Sequence, residues 1–311
     1  MSKKILVVGS ANMDLSMNMY RVPAAGETLI DDGGVAYLPG GKGANSAVAF
    51  ARLGADSIFC AKLGADSHGQ KLYQYYKEQG VNTSFLKVDR ENPTGLAVVM
   101  KESDGNNRIL VYPGANSHLT VDNIAEAFEA RPDALYLGFE IPFNIAVAAA
   151  KMANARGIPV FVDAAPADKE HPLENLPPVE IFSPNETETL EYTGILPQGA
   201  ESSLRAALAL YKRVKCRYIV IKQGSRGAFI YDGKRYSFAP AMKAGEVVDT
   251  TAAGDSFTAA MTLKYLENSG EITTAVKYGT AAGAIAVTRR GASQAVPTAD
   301  EVEALLKSGG R

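Results

Sequence analysis

The 311-residue sequence predicts an α/β fold in which helices flank a mostly parallel central sheet and a small β-sheet projects as a lid. Short apolar segments alternate with helical patterns over most of the chain, as in sheets built from parallel strands. Two stretches, about 15–38 and 94–113, are instead alternating or β-rich and predict the lid. Because no solenoid period or low-complexity segment interrupts the pattern, we predict one α/β domain over residues 1–311.

The amino-terminal half supports this prediction element by element. Residues 5–8 form an apolar run ended by Gly9-Ser10, which is typical of a strand buried on both faces. The next predicted elements are a helix at 43–53, a strand at 57–63, a helix at 67–79, a strand at 133–138, a helix at 142–156 and a strand at 159–163. Gly54 and Gly80 close the first two helices, as glycine does at helix C-termini.

The carboxyl-terminal half continues the alternation. Its predicted elements are a strand at 181–183, a helix at 186–192, a helix at 204–214, a strand at 218–221 and helices at 254–268, 272–289 and 299–307. Each lid stretch contains a turn signal, Asp-Asp-Gly-Gly at 31–34 and Asp-Gly-Asn-Asn at 104–107. Because open sheet edges invite pairing, we expect a homodimer through the lid sheet.

Composition and charge exclude several function classes. Hydrophobic residues make up 46% and charged residues 21%, ordinary values for a globular protein, and the net charge is −2. Since there is no basic block, neither nucleic acid nor a membrane surface is expected as a partner. The apolar run at 5–8 is too short for a signal sequence, and Cys60 and Cys216 lie far apart in apolar segments. We therefore expect a cytoplasmic protein with buried free thiols.

Residues 249–257, Asp-Thr-Thr-Ala-Ala-Gly-Asp-Ser-Phe, are the stretch that most suggests chemistry. Small residues there leave backbone N–H groups uncovered, and Asp255 lies where a helical pattern begins. The N-terminus of a helix carries about half a positive charge and unpaired N–H groups, so it attracts phosphate. A carboxylate beside that site can take a proton from an attacking hydroxyl, which predicts phosphoryl transfer. The alternative is an aspartate that only caps the helix.

Residues 38–45, Leu-Pro-Gly-Gly-Lys-Gly-Ala-Asn, place three glycines and a lysine before a helix. Their spacing does not match a P-loop. Two interpretations stay open: a tight turn, or a glycine floor on which a polar ligand lies within reach of Asn45. Asn12 and Asp14 follow the first strand, at the edge where open α/β sheets bind ligands, and a carboxylate there suits sugar hydroxyls. Simple turn formation is the alternative for both residues.

Two later loops allow a structural and a ligand-binding interpretation. Asn185 and Glu188 have the spacing of a capping box at a helix start. Residues 222–227, Lys-Gln-Gly-Ser-Arg-Gly, follow a strand and predict either a hairpin turn or a loop whose N–H groups face a nucleotide phosphate. The three histidines share no spacing with acids or cysteines, so they receive no chemical role.

Taken together, four motifs resemble the ribokinase family of sugar kinases. They are Gly-Gly-Lys-Gly-Ala-Asn at 40–45, Asn-Glu-Thr-Glu at 185–188, Gly-Ser-Arg-Gly at 224–227 and the stretch at 249–257. The resemblance runs from the first strand to Pro297 and implies a large α/β domain with a β-sheet lid. It also implies ATP-dependent phosphorylation of a sugar hydroxymethyl group, first of all D-ribose to ribose 5-phosphate, with Mg²⁺ as cofactor and K⁺ as activator.

The resemblance implies a role for each matching position. Asp255 corresponds to the general base, and Gly254 with Ala252 and Ala253 to the anion hole. The sugar-contacting positions, besides Asp255, are Asn12, Asp14, Gly40, Gly41, Lys42, Asn45 and Glu140. The nucleotide-side positions, besides Gly254, are Asn185, Lys222, Gly224, Ser225, Gly227 and Thr280. Glu188 corresponds to a residue linked to Mg²⁺ through water, and the monovalent-cation positions are Asp249, Thr251, Ala286, Arg289, Gly291 and Ala295.

Three positions depart from the family pattern. Ala295 replaces a common serine, Lys222 a frequent threonine, and Thr280 a residue that is histidine in some members.

Deoxyribose, fructose and adenosine-like nucleosides stay open as substrates, although Asn12 favours ribose because it can both donate to and accept from a 2-hydroxyl. A nucleotide-dependent oxidoreductase is a further alternative, but the sequence lacks the Gly-x-Gly-x-x-Gly fingerprint of that class after its first strand. A non-catalytic sugar-binding protein is the remote alternative, since Asp255 is retained.

Overall fold

The computed structural model describes residues 2–103 and 107–309. Its strands, in chain order, are β1 (Lys4–Val8), β2 (Asn12–Met19), β3 (Val35–Gly40), β4 (Asp56–Gly64), β5 (Leu86–Asp89), β6 (Gly95–Glu102), β7 (Asn107–Tyr112), β8 (Ala134–Leu137), β9 (Val160–Asp163), β10 (Val179–Ser183), β11 (Cys216–Lys222), β12 (Ala228–Tyr231) and β13 (Tyr236–Ala239). Its α-helices are α1 (Lys42–Arg52), α2 (Ser67–Glu78), α3 (Val121–Ala127), α4 (Phe143–Asn154), α5 (Glu186–Thr193), α6 (Ala200–Arg213), α7 (Ala253–Glu267), α8 (Ile272–Ala286) and α9 (Ala299–Ser308). Of the helices in these residues, none is both long and apolar enough to cross a membrane.

The central sheet confirms the predicted α/β class. Within the described residues it has nine strands in the order β13-β12-β11-β10-β9-β8-β1-β4-β5. The strands from β11 to β5 run parallel, whereas β12 and β13 add an antiparallel edge. Because parallel strands end at the same edge of a sheet, the loops after β1, β8, β9, β10 and β11 converge there.

Strand β1 shows why this sheet is buried on both faces. Ile5 and Val7 pack into the core on one face, Leu6 and Val8 pack on the other, and all four are fully buried. Helices α1, α2, α7, α8 and α9 contribute to the first core, and α3 to α6 contribute to the second. The continuous apolar run predicted at 5–8 is therefore the pattern of a doubly covered strand.

A second sheet forms the lid, with the order β3-β2-β6-β7. β2 begins at Asn12, directly after β1, so the lid starts earlier than the predicted position 15 and includes the candidate residues Asn12 and Asp14. β2 pairs antiparallel with β3 and parallel with β6, which pairs antiparallel with β7. The turn signal at 31–34 lies in the loop before β3, whereas the signal at 104–107 lies mostly outside the described residues.

Several elements differ from the sequence-based expectation. β5, α3 and the hairpin of β12 and β13 were not predicted, because four to seven residues are too few for a clear periodic pattern. α6 begins at Ala200 rather than 204, since the hydroxyl of Ser202 accepts the N–H of Gly199 at 3.0 Å. α8 ends at Ala286 rather than 289, because the carbonyl of Val287 accepts the N–H of Val248 at 2.7 Å.

Candidate active site

The candidate catalytic and sugar-side residues come together at the carboxyl edge of the central sheet. β1 leads into the lid there through Asn12 and Asp14, and β3 leads into α1 through Gly40 and Gly41. The first turn of α7, which carries Asp255, packs against the first turns of α1. Residues far apart in the chain therefore share one site, between the lid and the central sheet.

Asp255 lies in the first turn of α7 and is 4% exposed. The side-chain amide of Asn45 donates to its Oδ2 at 2.8 Å, and the ammonium of Lys42 lies 3.7 Å from its Oδ1. Burial raises the pKa of Asp255 above its ordinary value, and Lys42 and the Asn45 hydrogen bond offset only part of that rise. A carboxylate with increased proton affinity is suited to act as a general base.

The first turn of α7 also presents free N–H groups beside Asp255. Ala252 precedes the helix with a φ of 58°, a left-handed conformation that turns the chain sharply into it. In the part of the chain that the structure describes, the N–H groups of Gly254 and Asp255 have no acceptor within hydrogen-bond distance. Unpaired N–H groups at a helix N-terminus attract an anion, so Gly254 and Asp255 are suited to an anion hole, whereas the N–H of Ala253 already donates to the carbonyl of Thr250 at 3.3 Å.

Asp14 and Gly40 lie in contact at the start of the lid. A Cβ atom at position 40 would lie 2.1 Å from the Oδ2 of Asp14, so only glycine leaves room for that carboxylate. Gly41 follows with a φ of 91°, which turns β3 into α1. Among the described residues, the buried Oδ1 of Asp14 has no hydrogen-bond partner. Burial, followed by the carboxylates of Glu140 and Asp255, raises the pKa of Asp14 to about 7.

Asn12 is held by Asn116, a residue that the sequence analysis missed. The Nδ2 of Asn116 donates to the Oδ1 of Asn12 at 2.8 Å, and its Oδ1 accepts the N–H of Ala11 at 2.9 Å. One lone pair of the Asn12 oxygen is thus used inside the protein, which leaves a second lone pair and the amide N–H donors for a ligand. One signal was present: Gly-Ala-Asn at 114–116 repeats Gly-Ala-Asn at 43–45.

Glu140, a predicted sugar contact, binds loops of the protein itself. Its Oε2 accepts the N–H of Lys42 at 2.9 Å and a hydrogen bond from the hydroxyl of Ser10. Ser10 follows β1, and Lys42 begins α1, so Glu140 joins the two loops that border the glycine floor. Its observed contacts therefore support a positioning role behind that floor.

Lys222 and Asp163 form a buried ion pair near the first turn of α7. The ammonium of Lys222 contacts the Oδ1 of Asp163 and lies 3.2 Å from the hydroxyl oxygen of Thr258. Asp163 is 3% exposed and Lys222 is 8% exposed. Asp163 was not among the predicted site residues, although an acidic residue at the carboxyl end of a predicted parallel strand is a signal for a ligand site.

Comparison with known proteins assigns the family. The model of the pfkB family of carbohydrate kinases matches residues 2–299. The chain belongs to the pfkB family of carbohydrate kinases. The predicted resemblance is thereby confirmed.

Relatives of this pfkB-family chain include several ribokinases. The ribokinase of Haemophilus influenzae is 33% identical over 99% of this chain and 99% of its own length. The ribokinase of Lactococcus lactis is 34% identical over 98% of this chain and 97% of its own length. The structure of Arabidopsis thaliana ribokinase complexed with ribose and ATP superposes with a TM-score of 0.88, at 32% identity over 99% of both chains. This likeness extends over the whole fold, lid included.

In this pfkB-family chain, the motif at 185–188 forms the predicted capping box. The N–H of Glu188 donates to the side-chain oxygen of Asn185 at 2.8 Å, and the N–H of Asn185 donates to Glu188 at 2.7 Å. Burial raises the pKa of Glu188, and the ammonium of Lys222 lowers it only in part. Glu188 therefore has a structural role, yet it also lies near the candidate phosphate site.

The predicted nucleotide loop at 222–227 is a hairpin turn between the antiparallel strands β11 and β12. Among the described residues, the N–H groups of Gly224 and Ser225 have no backbone acceptor, whereas Gly227 donates to Gly224 at 3.1 Å. The turn is thus compatible with both interpretations left open by the sequence. Thr280 lies on α8 and donates its hydroxyl to its own helix, to the carbonyl of Lys277 at 2.7 Å.

The predicted monovalent-cation positions lie on two adjoining loops. The N–H of Asp249 donates to the carbonyl of Val287 at 3.2 Å, and the N–H of Gly291 donates to the Oδ2 of Asp249 at 3.4 Å. The other positions lie close by in the chain: Thr251 donates to Asp249, the carbonyl of Ala286 accepts the N–H of Arg289 at 3.1 Å, and Ala295 ends a short 3₁₀ turn.

The lid adds a lysine that the sequence analysis missed. The ammonium of Lys101, on β6, lies 3.2 Å from the Oδ2 of Asp249. Burial raises the pKa of Asp249, but hydrogen bonds from Thr251 and the charge of Lys101 outweigh it, so the pKa lies below its ordinary value. Within residues 2–103 and 107–309, no cluster of three or more histidine, cysteine or acidic side chains is arranged to hold a metal ion.

Proposed function

We propose that this pfkB-family kinase transfers the γ-phosphate of ATP to the exocyclic hydroxyl of D-ribose, giving ADP and ribose 5-phosphate. The observation that carries the proposal is Asp255 beside free N–H groups at the N-terminus of α7, in one site with the orphaned carboxylate oxygen of Asp14. Phosphoryl transfer depends on such positioning and charge stabilisation. The choice of ribose is supported by the ribokinase relatives, one of which was solved with ribose and ATP.

The proposed reaction assigns a task to each group in the site. Asp14 accepts hydrogen bonds from sugar hydroxyls, and the amide of Asn12 donates to a ring hydroxyl oxygen, so that the exocyclic hydroxyl faces Asp255. Asp255 takes the hydroxyl proton as the oxygen attacks the γ-phosphorus. The N–H groups of the first turn of α7 stabilise the charge of the transferring group. Because the amide N–H groups of Asn12 need an acceptor, ribose suits this residue better than 2-deoxyribose, which lacks the 2-hydroxyl oxygen.

Mg²⁺ fits the site as a cofactor contacted through its waters. Both carboxylate oxygens of Glu188 already accept hydrogen bonds from Asn185, at 2.7 and 2.9 Å, which favours contact through water over direct ligation. When bound, Mg²⁺ neutralises phosphate charge. Glu188 would hold the hydrated ion on the nucleotide side of the site.

K⁺ fits the predicted positions only in part. The carboxylate of Asp249 already faces the ammonium of Lys101, and Ala295 has no side-chain oxygen to offer. Backbone carbonyls on the two loops still suit a monovalent cation. Since an internal cation already neutralises Asp249, we derive no step of the reaction through K⁺.

The decisive experiment measures ADP release with ATP and Mg²⁺ over a panel of ribose, 2-deoxyribose, fructose, tagatose and adenosine. We expect the highest kcat/KM with ribose, and we expect Asp255→Asn to lower kcat by about 10²–10⁴-fold without weakening ribose binding. If another member of the panel gives a higher kcat/KM than ribose, that compound and not ribose is the preferred substrate. Turnover of none of them would favour a sugar-binding protein without catalysis.

We also propose that the lid closes over the sugar and pairs with a second copy of the chain. The support is the exposed apolar surface of the lid, where Val35, Tyr37, Ile109, Leu110 and Tyr112 are 55% to 67% exposed. Closure would exclude water and limit ATP hydrolysis. Light scattering should show a dimer that Leu110→Glu dissociates, whereas Val88→Glu, at a 62% exposed position outside the lid, should not. A monomeric parent protein would contradict the pairing.

A cytoplasmic location completes the proposal. Cys60 and Cys216 are both free, Cys60 is buried and Cys216 half-buried. Burial raises the pKa of both thiols to about 12, so neither is easily oxidised. Free thiols are usual in a reducing compartment. Fractionation of the source cells with an antibody against the chain tests this location.

A further inference from the structure

We propose that Lys222 is a catalytic residue whose ammonium contacts the transferring phosphoryl group beside the first turn of α7, and that Asp163 is the positioning residue that holds it there. This inference rests on the proposed kinase function and adds a side-chain cation on the phosphate side. Family resemblance assigned Lys222 only to the nucleotide side, at a position where threonine is frequent. Lys222 supplies a positive charge that a threonine at that position would lack.

The sheet topology places the Lys222 side chain along the carboxyl edge of the sheet. Lys222 ends β11, Asp163 ends β9, and β10 lies between these strands. The ammonium reaches Asp163 across the end of β10 and lies 3.2 Å from the hydroxyl oxygen of Thr258, in the second turn of α7. A Cβ atom built on Gly254 would lie 3.9 Å from the Nζ of Lys222. The ammonium therefore lies alongside the candidate anion hole.

Hydrogen-bond valence leaves one donor of Lys222 for a ligand. An ammonium has three N–H donors. Asp163 and Thr258 accept two of them, and the described residues provide no third acceptor. The hydroxyl of Thr258 donates to the carbonyl of Gly254 at 3.0 Å, so its lone pairs face Lys222. A phosphoryl oxygen bound at the N-terminus of α7 would complete the hydrogen bonds of the ammonium.

Fold stability alone gives little reason to keep this ion pair buried. Removing two charges from water is unfavourable, and neutral side chains of similar volume are often equally stable in such places. Asp163 and Lys222 have nevertheless lost nearly all their contact with solvent. The surrounding carboxylates of Asp255 and Glu188 would repel an incoming phosphate, and the ammonium of Lys222 offsets that repulsion.

The transfer step itself needs no bond to Lys222. A bond forms between the sugar hydroxyl oxygen and the γ-phosphorus, the bond from that phosphorus to the bridging oxygen of ADP breaks, and the hydroxyl proton passes to Asp255. Lys222 keeps its protons throughout. Its ammonium offsets the negative charge on the oxygens of the transferring group, which is the principal need of this transition state.

A double-mutant cycle separates catalysis from charge balance. Lys222→Met removes the cation at similar volume, Asp163→Asn removes its partner, and the double variant buries neither charge. We expect each single variant to lose thermal stability, and the double variant to regain it. We also expect kcat to stay about 10²–10³-fold below the parent in both Lys222→Met and the double variant. Affinity for ADP with aluminium fluoride, a mimic of the transferring group, should fall much more than affinity for ADP.

The control is Lys264→Met, which removes another ion-paired lysine, in the last turn of α7 and 3.3 Å from Glu303. It should leave kcat unchanged. If the double variant recovers both stability and a kcat within about threefold of the parent, Lys222 only balances Asp163 and this inference fails while the kinase function stands. If the parent enzyme phosphorylates no sugar, the proposed function fails first, and this inference fails with it.

Discussion

The side-chain amide of Asn45 donates a 2.8 Å hydrogen bond to the Oδ2 of Asp255, joining α1 to the first turn of α7. The two residues are 210 positions apart in the chain. Asn45 follows the glycine turn at 40–41, which lies beside Asp14. This hydrogen bond therefore fixes the position of the candidate base relative to the glycine floor. It also opposes the effect of burial on Asp255, because a hydrogen bond to a carboxylate favours its ionised form.

Asn45→Ala should therefore shift the pH dependence of the reaction. Burial raises the pKa of Asp255, and without the Asn45 hydrogen bond the pKa should rise further. Since a general base must be ionised, the acidic limb of the profile of kcat/KM against pH should move to higher pH. An uncharged control, Asn154→Ala on α4, should leave the limb in place. If the acidic limb stays in place in Asn45→Ala, the hydrogen bond from Asn45 does not influence the pKa of the catalytic base.

Sugar affinity should weaken as pH falls, because the pKa of Asp14 is raised to about 7. If sugar hydroxyls bind the ionised carboxylate, affinity should be about tenfold lower at pH 6 than at pH 8, where most of the group is ionised. Calorimetry of ribose binding measures this, and Asp14→Asn should bind ribose weakly with no pH dependence in that range. Equal ribose affinity at the two pH values would exclude Asp14 from the pocket.

The same pKa predicts the sign of a stability change in the sugar-free protein. The folded-state pKa of Asp14, about 7, lies above the ordinary value of 3.8, so the folded protein binds more protons in this window. The contribution of Asp14 to the free energy of unfolding should accordingly decrease as pH rises from about 4 to about 7. Denaturant unfolding of the parent and of Asp14→Asn, compared across this range, isolates the contribution.

Gly40→Ala should damage the sugar site more than the fold. Its Cβ would lie 2.1 Å from the Oδ2 of Asp14, so the carboxylate has to move. A displacement of about 1 Å in a site can cost about 10²-fold in rate, and we expect a fall of that order in kcat/KM for ribose. Gly199→Ala is the matched control, because nothing lies within 4 Å of a Cβ there. A parent-like KM for ribose in Gly40→Ala would show that Asp14 tolerates displacement.

Lys101 should reduce the need for a monovalent cation, because its ammonium lies 3.2 Å from Asp249. Removing it in Lys101→Met leaves that carboxylate without its cation, so K⁺ should stimulate the variant more than the parent. Assays with and without K⁺, at constant ionic strength, measure the ratio. Lys87→Met, which removes a lysine paired with Glu126 at 2.7 Å, is the control. Equal stimulation of parent and Lys101→Met would contradict this role.

Sequence patterns were sufficient wherever a local property decides the structure. The doubly buried strand at 5–8, the glycine turn at 40–45 and the capping box at 185–188 each depend on residues that are neighbours in the chain. The order of the four motifs at 40–45, 185–188, 224–227 and 249–257 was sufficient to predict the family, and the alternation of strands and helices was sufficient to predict the fold class. Short elements such as β5 and α3 were not predicted, because they are shorter than the window over which periodicity is visible.

The amino-acid sequence by itself thus determined the family, the α/β class and the candidate base Asp255. Only the tertiary structure decided which side chains pair with the other candidate residues: Asn116 with Asn12, Asp163 with Lys222, and Lys101 with Asp249. Periodicity reports which face of an element is buried, whereas these contacts depend on which strands become neighbours in the sheets. Packing of the whole chain places β10 between β9 and β11. It also brings Lys101, on β6, to a loop 148 positions away in the chain.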